Sequence, residues 1–164
     1  MKKVLFVCTG NTCRSIMAEG LFNSVVAKED EAMRQFKAYS AGISAFDGAC
    51  ASDNAYSVLK SWGIDISYHK SKRVTQQDVD SAFLILTMTR EHKRALLQLF
   101  PEAEDKVYTL KEFAYDDCES MNNMSIDITD PYGMNEEVYR KCAIEIRQAI
   151  YKVLEKLKLK YSGQ

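Results

Sequence analysis

"KKVLFVCTGNTCRSIMAE", residues 2–19, runs from an apolar, strand-length stretch through a short polar loop straight into a helical pattern. The unbroken apolar run "KVLFV" (3–7) reads as a strand covered on both faces, because a half-exposed strand would alternate with polar residues. In "SIMAEGLFNSVVAK" (15–28), Met17, Leu21 and Val25, with Phe22 beside them, recur at helical spacing. A strand that turns directly into a helix aims unpaired backbone N–H groups and the positive end of the helix dipole into the turn, and this makes a cradle for an anion. Thr9, Gly10, Asn11 and Thr12 are small, and Gly10 and Asn11 tolerate the left-handed angles that curl N–H groups inward. Arg14 adds a planar guanidinium able to grip two phosphate oxygens at once.

Cys8 stands at the mouth of this loop. A cysteine after a buried strand is ordinarily a small hydrophobe. Amide donors, a helix N-terminus and an arginine, however, favour its thiolate. A thiolate on the floor of a phosphate cradle is placed for in-line attack on phosphorus, with Ser15 available to steady it by a hydrogen bond. The order of strand, small-residue loop, arginine, serine and helix separates this reading from a chance C-x5-R match.

Working outward, "FKAYSAG" (36–42), "SAFLILTM" (81–88) and "DKVYTL" (105–110) read as further strands. "ASDNAYSVLKSWG" (51–63) reads as a helix capped by Ser52 or Asp53 and ended by Gly63, and "TREHKRALLQLFP" (89–101) as one halted before Pro101. "NEEVYRKCAIEIRQAIYKVLEKLK" (135–158) carries Val138, Cys142, Ile146, Ile150 and Leu154 along one stripe. Strands alternating with helices imply an α/β fold, a parallel sheet with helices on both faces and ligands at the carboxyl ends of the strands, where Cys8 falls. With two Pro, seven Gly and no repeat in 164 residues, the chain reads as a single domain over 1–164, with 158–164 a frayed tail.

Composition narrows the partners. A formal net charge of −1 argues against a nucleic-acid binder. No apolar run reaches the roughly 18 to 20 residues of a membrane span, and the stretch after Met-Lys-Lys is too short for a signal peptide. Five cysteines (8, 13, 50, 118 and 142), odd in number and without framework spacing, fit reduced thiols in a cytoplasmic protein and no structural zinc. The basic end from residue 152 reads as a solvated helix face rather than a membrane site.

Cleaving phosphate from an oxygen or nitrogen also requires a proton donor opposite the nucleophile. His69 and His92 are the only histidines, so a carboxylic acid is the better candidate, and Asp130 before Pro131 in "SIDITDPYGMNEE" (125–137) stands out. Asp-Pro is also a common turn, and Asp127 or Asp130 can serve only to begin the following helix.

"VCTGNTCRSIMAE" together with "DPYG" resembles the low-molecular-weight protein tyrosine phosphatase family, and the likeness extends through "SAG", "GIDISYHKSK" and "FLILTM". The resemblance implies a three-layer α/β domain with a four-stranded parallel sheet, a phosphate-binding loop after the first strand, no metal or organic cofactor, and a phosphocysteine intermediate. Carried over by position, Cys8 is the nucleophile, Arg14 the phosphate clamp, Ser15 the thiolate partner, and Asp130 first acid and then base. Asn11, Ser40 and His69 match positions that hold the loop in its strained shape. Cys13 matches the loop cysteine that forms a reversible disulfide with the nucleophile. Ile16 departs from the family's usual proline, which implies a slightly looser helix start.

The resemblance implies a phosphorylated protein or peptide as substrate and inorganic phosphate as product. Phe46 and Tyr132 can flank a planar substrate group or simply pack at the rim. Thr12, where eukaryotic members commonly carry a larger apolar residue, is similar to the bacterial branch that includes protein-arginine phosphatases, so the resemblance implies phosphotyrosine first, with phosphoarginine as the second candidate. Thioredoxin-coupled arsenate reductases share "CTGN-x-CRS" but need two further cysteines near the third strand; no cysteine lies between Cys50 and Cys118. A non-catalytic phospho-reader would have lost the nucleophile or the acid, and both Cys8 and Asp130 are present.

Overall fold

The structure is a computed structural model that describes residues 1–116 and 125–161. Its centre is a four-stranded, all-parallel sheet in the order β2-β1-β3-β4, formed by β1 (Lys2–Cys8), β2 (Phe36–Gly42), β3 (Ala82–Thr87) and β4 (Val107–Thr109). The period of two along β1 explains its unbroken apolar run. Val4 and Phe6 face one core, with Leu84, Leu86 and the helices α1 (Arg14–Val26), α2 (Asp53–Ser61) and α6 (Glu136–Tyr161). Leu5 and Val7 face a second core, with Ile85, Val107, Val79 of α3 (Gln76–Ser81) and Leu96 of α4 (Arg90–Leu99). Among the described residues, no helix is long and apolar enough to cross a membrane.

Helix α1 departs from the single apolar face its sequence suggests: every residue from Arg14 to Phe22 is buried, whereas Val25 is only partly covered. It lies between the sheet, α2 and α6, so even its polar residues are enclosed. Ser52 rather than Asp53 caps α2, accepting from Ala55 N–H at 3.4 Å, and Gly63 follows at φ +78°. Periodicity does not reveal α3 or α5 (Leu110–Ala114), which are six and five residues long. Both open on capping boxes, Thr75 with Asp78 and Thr109 with Glu112, and the second box ends β4 after three residues.

The end of α6 corrects the frayed tail expected from residue 158. The helix continues to Tyr161, whose ring meets Phe36 and Phe83 edge-on at 5.6 and 5.7 Å, while Lys158 pairs with Glu29 at 2.6 Å. Residues 162–164 and Cys118 lie outside the described residues.

Candidate active site

Cys8 closes β1 opposite Gly42 of β2, and the chain from Cys8 to Arg14 curls over the carboxyl end of the sheet. Ile43 N–H donates to Cys8 O at 2.9 Å and Ser44 N–H to Thr9 O at 3.0 Å, so the segment after β2 holds the rising side of the loop. Gly42 permits this approach. A Cβ there would lie 2.4 Å from Thr9 O and 3.1 Å from Asn11 N, both backbone atoms that cannot swing aside.

Asn11 carries the loop's left-handed turn at φ +58°. Gly10, which tolerates that conformation, does not adopt it, and a Cβ there would meet nothing nearer than Thr12 Oγ1 at 3.9 Å. The Asn11 amide is oriented without ambiguity, since a backbone N–H can only donate. Lys72 N–H donates to Asn11 Oδ1 at 3.0 Å, which turns Nδ2 toward Ser15 Oγ at 2.9 Å. With that oxygen accepting, the Ser15 hydroxyl proton is directed to Cys8 Sγ, 2.9 Å away. His69 Nε2 donates to Asn11 O at 2.6 Å. Ser40 does not reach the loop: its hydroxyl donates to Glu19 Oε1 at 3.0 Å, and Tyr68 donates to Glu19 Oε2 at 2.5 Å. Burial and then the Glu19 carboxylate push the Tyr68 phenol above its ordinary range.

Arg14, 5% exposed, makes two contacts through one guanidinium. Nη1 donates to Ile128 O at 2.8 Å, and Nη2 lies 3.6 Å from Asp130 Oδ2. Ile128 N–H donates in turn to Met88 O at 3.0 Å, so the segment that carries Asp130 is tied both to the residue just beyond β3 and to the arginine. Asp130 is fixed by its own turn, Oδ1 accepting from Tyr132 N–H at 3.1 Å, with Gly133 at φ +77° beyond. Asp127 serves another end: its carboxylate accepts from Arg90 N–H at 2.9 Å and lies at the N-terminus of α4.

Cys8 to Arg14, Asp130 and Tyr132 enclose a cavity of about 230 Å3. Tyr132 is largely exposed at its edge, whereas Phe46 is 88% exposed and is not in the lining. Cys13 is a free, buried thiol beneath the loop, 3.2 Å from Tyr139 Oη and 3.6 Å from Ser52 Oγ. Burial, then the bond to Cys13, pushes the Tyr139 phenol up to about 12, so it stays protonated. Burial likewise pushes the Cys142 thiol up to about 12, and its S–H points to Thr129 O at 3.7 Å. Ile16, where a proline was expected by resemblance, is fully buried and anchors the first turn by packing.

Sequence reasoning gave no role to His92, which bonds Thr9 in the loop through Nε2 at 2.8 Å. The signal was topological: His92 begins the helix after β3, at the same carboxyl edge as the neighbouring β1. Lys72 and Tyr139 left no comparable trace, because a backbone donor and a buried phenol look like ordinary structure.

The model of the low molecular weight phosphotyrosine protein phosphatases matches residues 3–162. The chain belongs to that family. This phosphatase is 39% identical over 155 residues to the protein-arginine-phosphatase of Geobacillus stearothermophilus, covering 94% of this chain and 95% of the relative. Its fold is similar to that of a low molecular weight protein tyrosine phosphatase from T. tengcongensis, with TM-score 0.83, 45% identity, and 95% and 99% of the two chains covered. A cysteine-to-serine variant of the YwlE arginine phosphatase with a phosphorylated active site serine gives TM-score 0.85 at 33% identity, with 95% of each chain covered. Family membership makes this chain a cysteine-dependent protein phosphatase.

Proposed function

We propose that this phosphatase hydrolyses phosphoarginine on proteins, with Cys8 as nucleophile, Arg14 as phosphate clamp and Asp130 as acid and base. One observation carries the substrate choice. The cavity has one aromatic residue in its lining, the exposed Tyr132, and the polar Thr12 and Asp130 are among the other residues that line it. A phenyl ring gains most between apolar walls, and Phe46 stands outside the lining. A guanidinium, planar, polar and cationic, is better served by polar groups, a hydroxyl and a carboxyl, than by apolar walls. Thr12 Oγ1 makes a 3.7 Å contact to Cys13 Sγ, weak enough to leave it free to turn toward a ligand. The protein-arginine-phosphatases of Geobacillus stearothermophilus and Bacillus subtilis, 39% and 34% identical to this chain, support the same choice.

In the first step Cys8 Sγ attacks phosphorus while the P–N bond breaks and Asp130 gives its proton to the departing guanidine nitrogen. Loop amides and the remaining Arg14 donors take up the charge of the equatorial oxygens. In the second step Asp130, now a carboxylate, takes a proton from water as the water oxygen attacks phosphorus. The S–P bond breaks, phosphate leaves, and Ser15 donates to the released thiolate.

The reading predicts a higher kcat/KM on phosphoarginine peptides than on phosphotyrosine peptides, and a reversal of that order in Thr12→Ile. Equal or faster turnover of phosphotyrosine by the wild type, unaltered by the substitution, would assign the cavity to phenyl phosphates instead.

A further inference from the structure

His92 is 7% exposed and belongs to none of the roles above. Its backbone N–H donates to Thr89 Oγ1 at 3.1 Å at the start of α4, so the ring is fixed where it enters the site. Nε2 lies 2.8 Å from Thr9 Oγ1, whereas Nδ1 is buried with no hydrogen-bond partner among the described residues. These two facts select a tautomer. A proton on Nδ1 would be an orphaned buried donor, while an unshared lone pair there costs less. The ring proton therefore belongs on Nε2, donated into Thr9 Oγ1. Because that oxygen then accepts from the histidine, the threonine's own proton must point elsewhere, and Thr9 lines the cavity with Cys8, Arg14 and Asp130. The opposite tautomer would spend the threonine proton on Nε2 and present lone pairs to an anion.

We propose that His92 is a positioning residue that turns the Thr9 hydroxyl into a fixed hydrogen-bond donor to the phosphoryl group in the cavity, an inference that rests on the phosphoryl-transfer reading of this site. Thr9 thereby adds a side-chain donor to the amides of the loop, next to the residue that forms the S–P bond. Nε2 carries its proton in the neutral Nε2-H tautomer and in the imidazolium alike, so the bond to Thr9 keeps its direction in both forms of the ring. The groups that act on it are Arg14, Asp130, Asp127 and Glu91; burial first and the Arg14 charge second outweigh the three carboxylates and push the imidazole down to about 4. At neutral pH the ring is therefore uncharged.

The tautomer is directly readable by nitrogen-15 NMR of the histidine rings in the full chain, which should show His92 protonated on Nε2 alone at pH 7. A proton on Nδ1 overturns the proposal. Inorganic phosphate serves as the ligand for the second measurement, which does not require turnover. Thr9→Val and His92→Ala should each weaken phosphate binding and lower kcat/KM roughly tenfold, as expected for one hydrogen bond to a charged group. The double variant should be no worse than either single one, and Thr9→Ser should stay near wild type. Losses that multiply in the double variant, or unchanged phosphate binding in Thr9→Val, would make His92 merely structural. If His92→Ala does not fold, the ring spectrum and the Thr9 pair still decide. A wild type that binds phosphate as described but releases none from phosphoarginine or phosphotyrosine peptides would sink the phosphatase reading, and the roles of His92 and Thr9 would then be in phosphate binding alone.

Discussion

Asn11 bears the strain of the loop. A left-handed backbone costs a non-glycine residue about 1–2 kcal/mol, and here both its backbone carbonyl and its side-chain amide are bonded to hold it. Asn11→Ala would remove the relay from Lys72 N–H to Ser15 Oγ while leaving the strain in place. It should therefore cost about 2–3 kcal/mol in chemical denaturation and, with Cys8 as the proposed nucleophile, lower kcat by a larger factor than it raises KM, because the Ser15 bond to Cys8 Sγ would then matter most when the thiolate leaves. Asp130 makes a separate prediction. Asp130→Asn should slow poor leaving groups most and activated aryl phosphates least, since the latter need little protonation. Rates that fall equally for all leaving groups would place the acid elsewhere.

The end of β2 is as much part of the site as the loop itself, because Gly42 lets two backbones meet where any side chain would intrude. Gly42→Ala should displace the loop, lower kcat/KM about tenfold or more, and cost about 1–3 kcal/mol in thermal or urea unfolding by overpacking. Gly10→Ala is the control, with no clash in the free protein, and should leave stability within about 0.5 kcal/mol. "FKAYSAG" was legible as a strand, and Cys8, Arg14, Ser15 and Asp130 come together at one edge because strand–loop–helix order carries them there. The need for glycine at position 42 was not legible, since it arises from the neighbouring chain and not from its own turn. Ser40 misled for the related reason that Glu19 of α1 intercepts its hydroxyl. Helices α3 and α5 are too short to show a helical period, although T-x-x-D and T-x-x-E capping boxes mark their starts in the sequence.

Across the whole molecule, acid should act in two stages set by different groups. His92 is held down to about 4 in the folded chain, against about 6.5 when unfolded, so its contribution to stability is complete above about pH 6.5 and is lost as pH falls toward 4. Asp78 and Glu112 belong to a later stage. Burial opposes their charge, but bonds from Lys72 and Thr75 to Asp78, and from Lys93 and Thr109 to Glu112, outweigh it and hold both carboxyls below their ordinary range. Their contribution survives to about pH 4 and fades only beneath it. Urea unfolding should therefore give a stability about 2 kcal/mol lower at pH 5 than at pH 7 from the buried imidazole alone. The substitution His92→Gln should flatten that interval and leave the steeper loss below pH 4 intact. If the fall between pH 7 and pH 5 persists undiminished in His92→Gln, the ring is protonated as freely in the folded chain as in the unfolded one. Its enclosure behind Thr9 and Arg14 would then be far wetter than the packing around α4 implies.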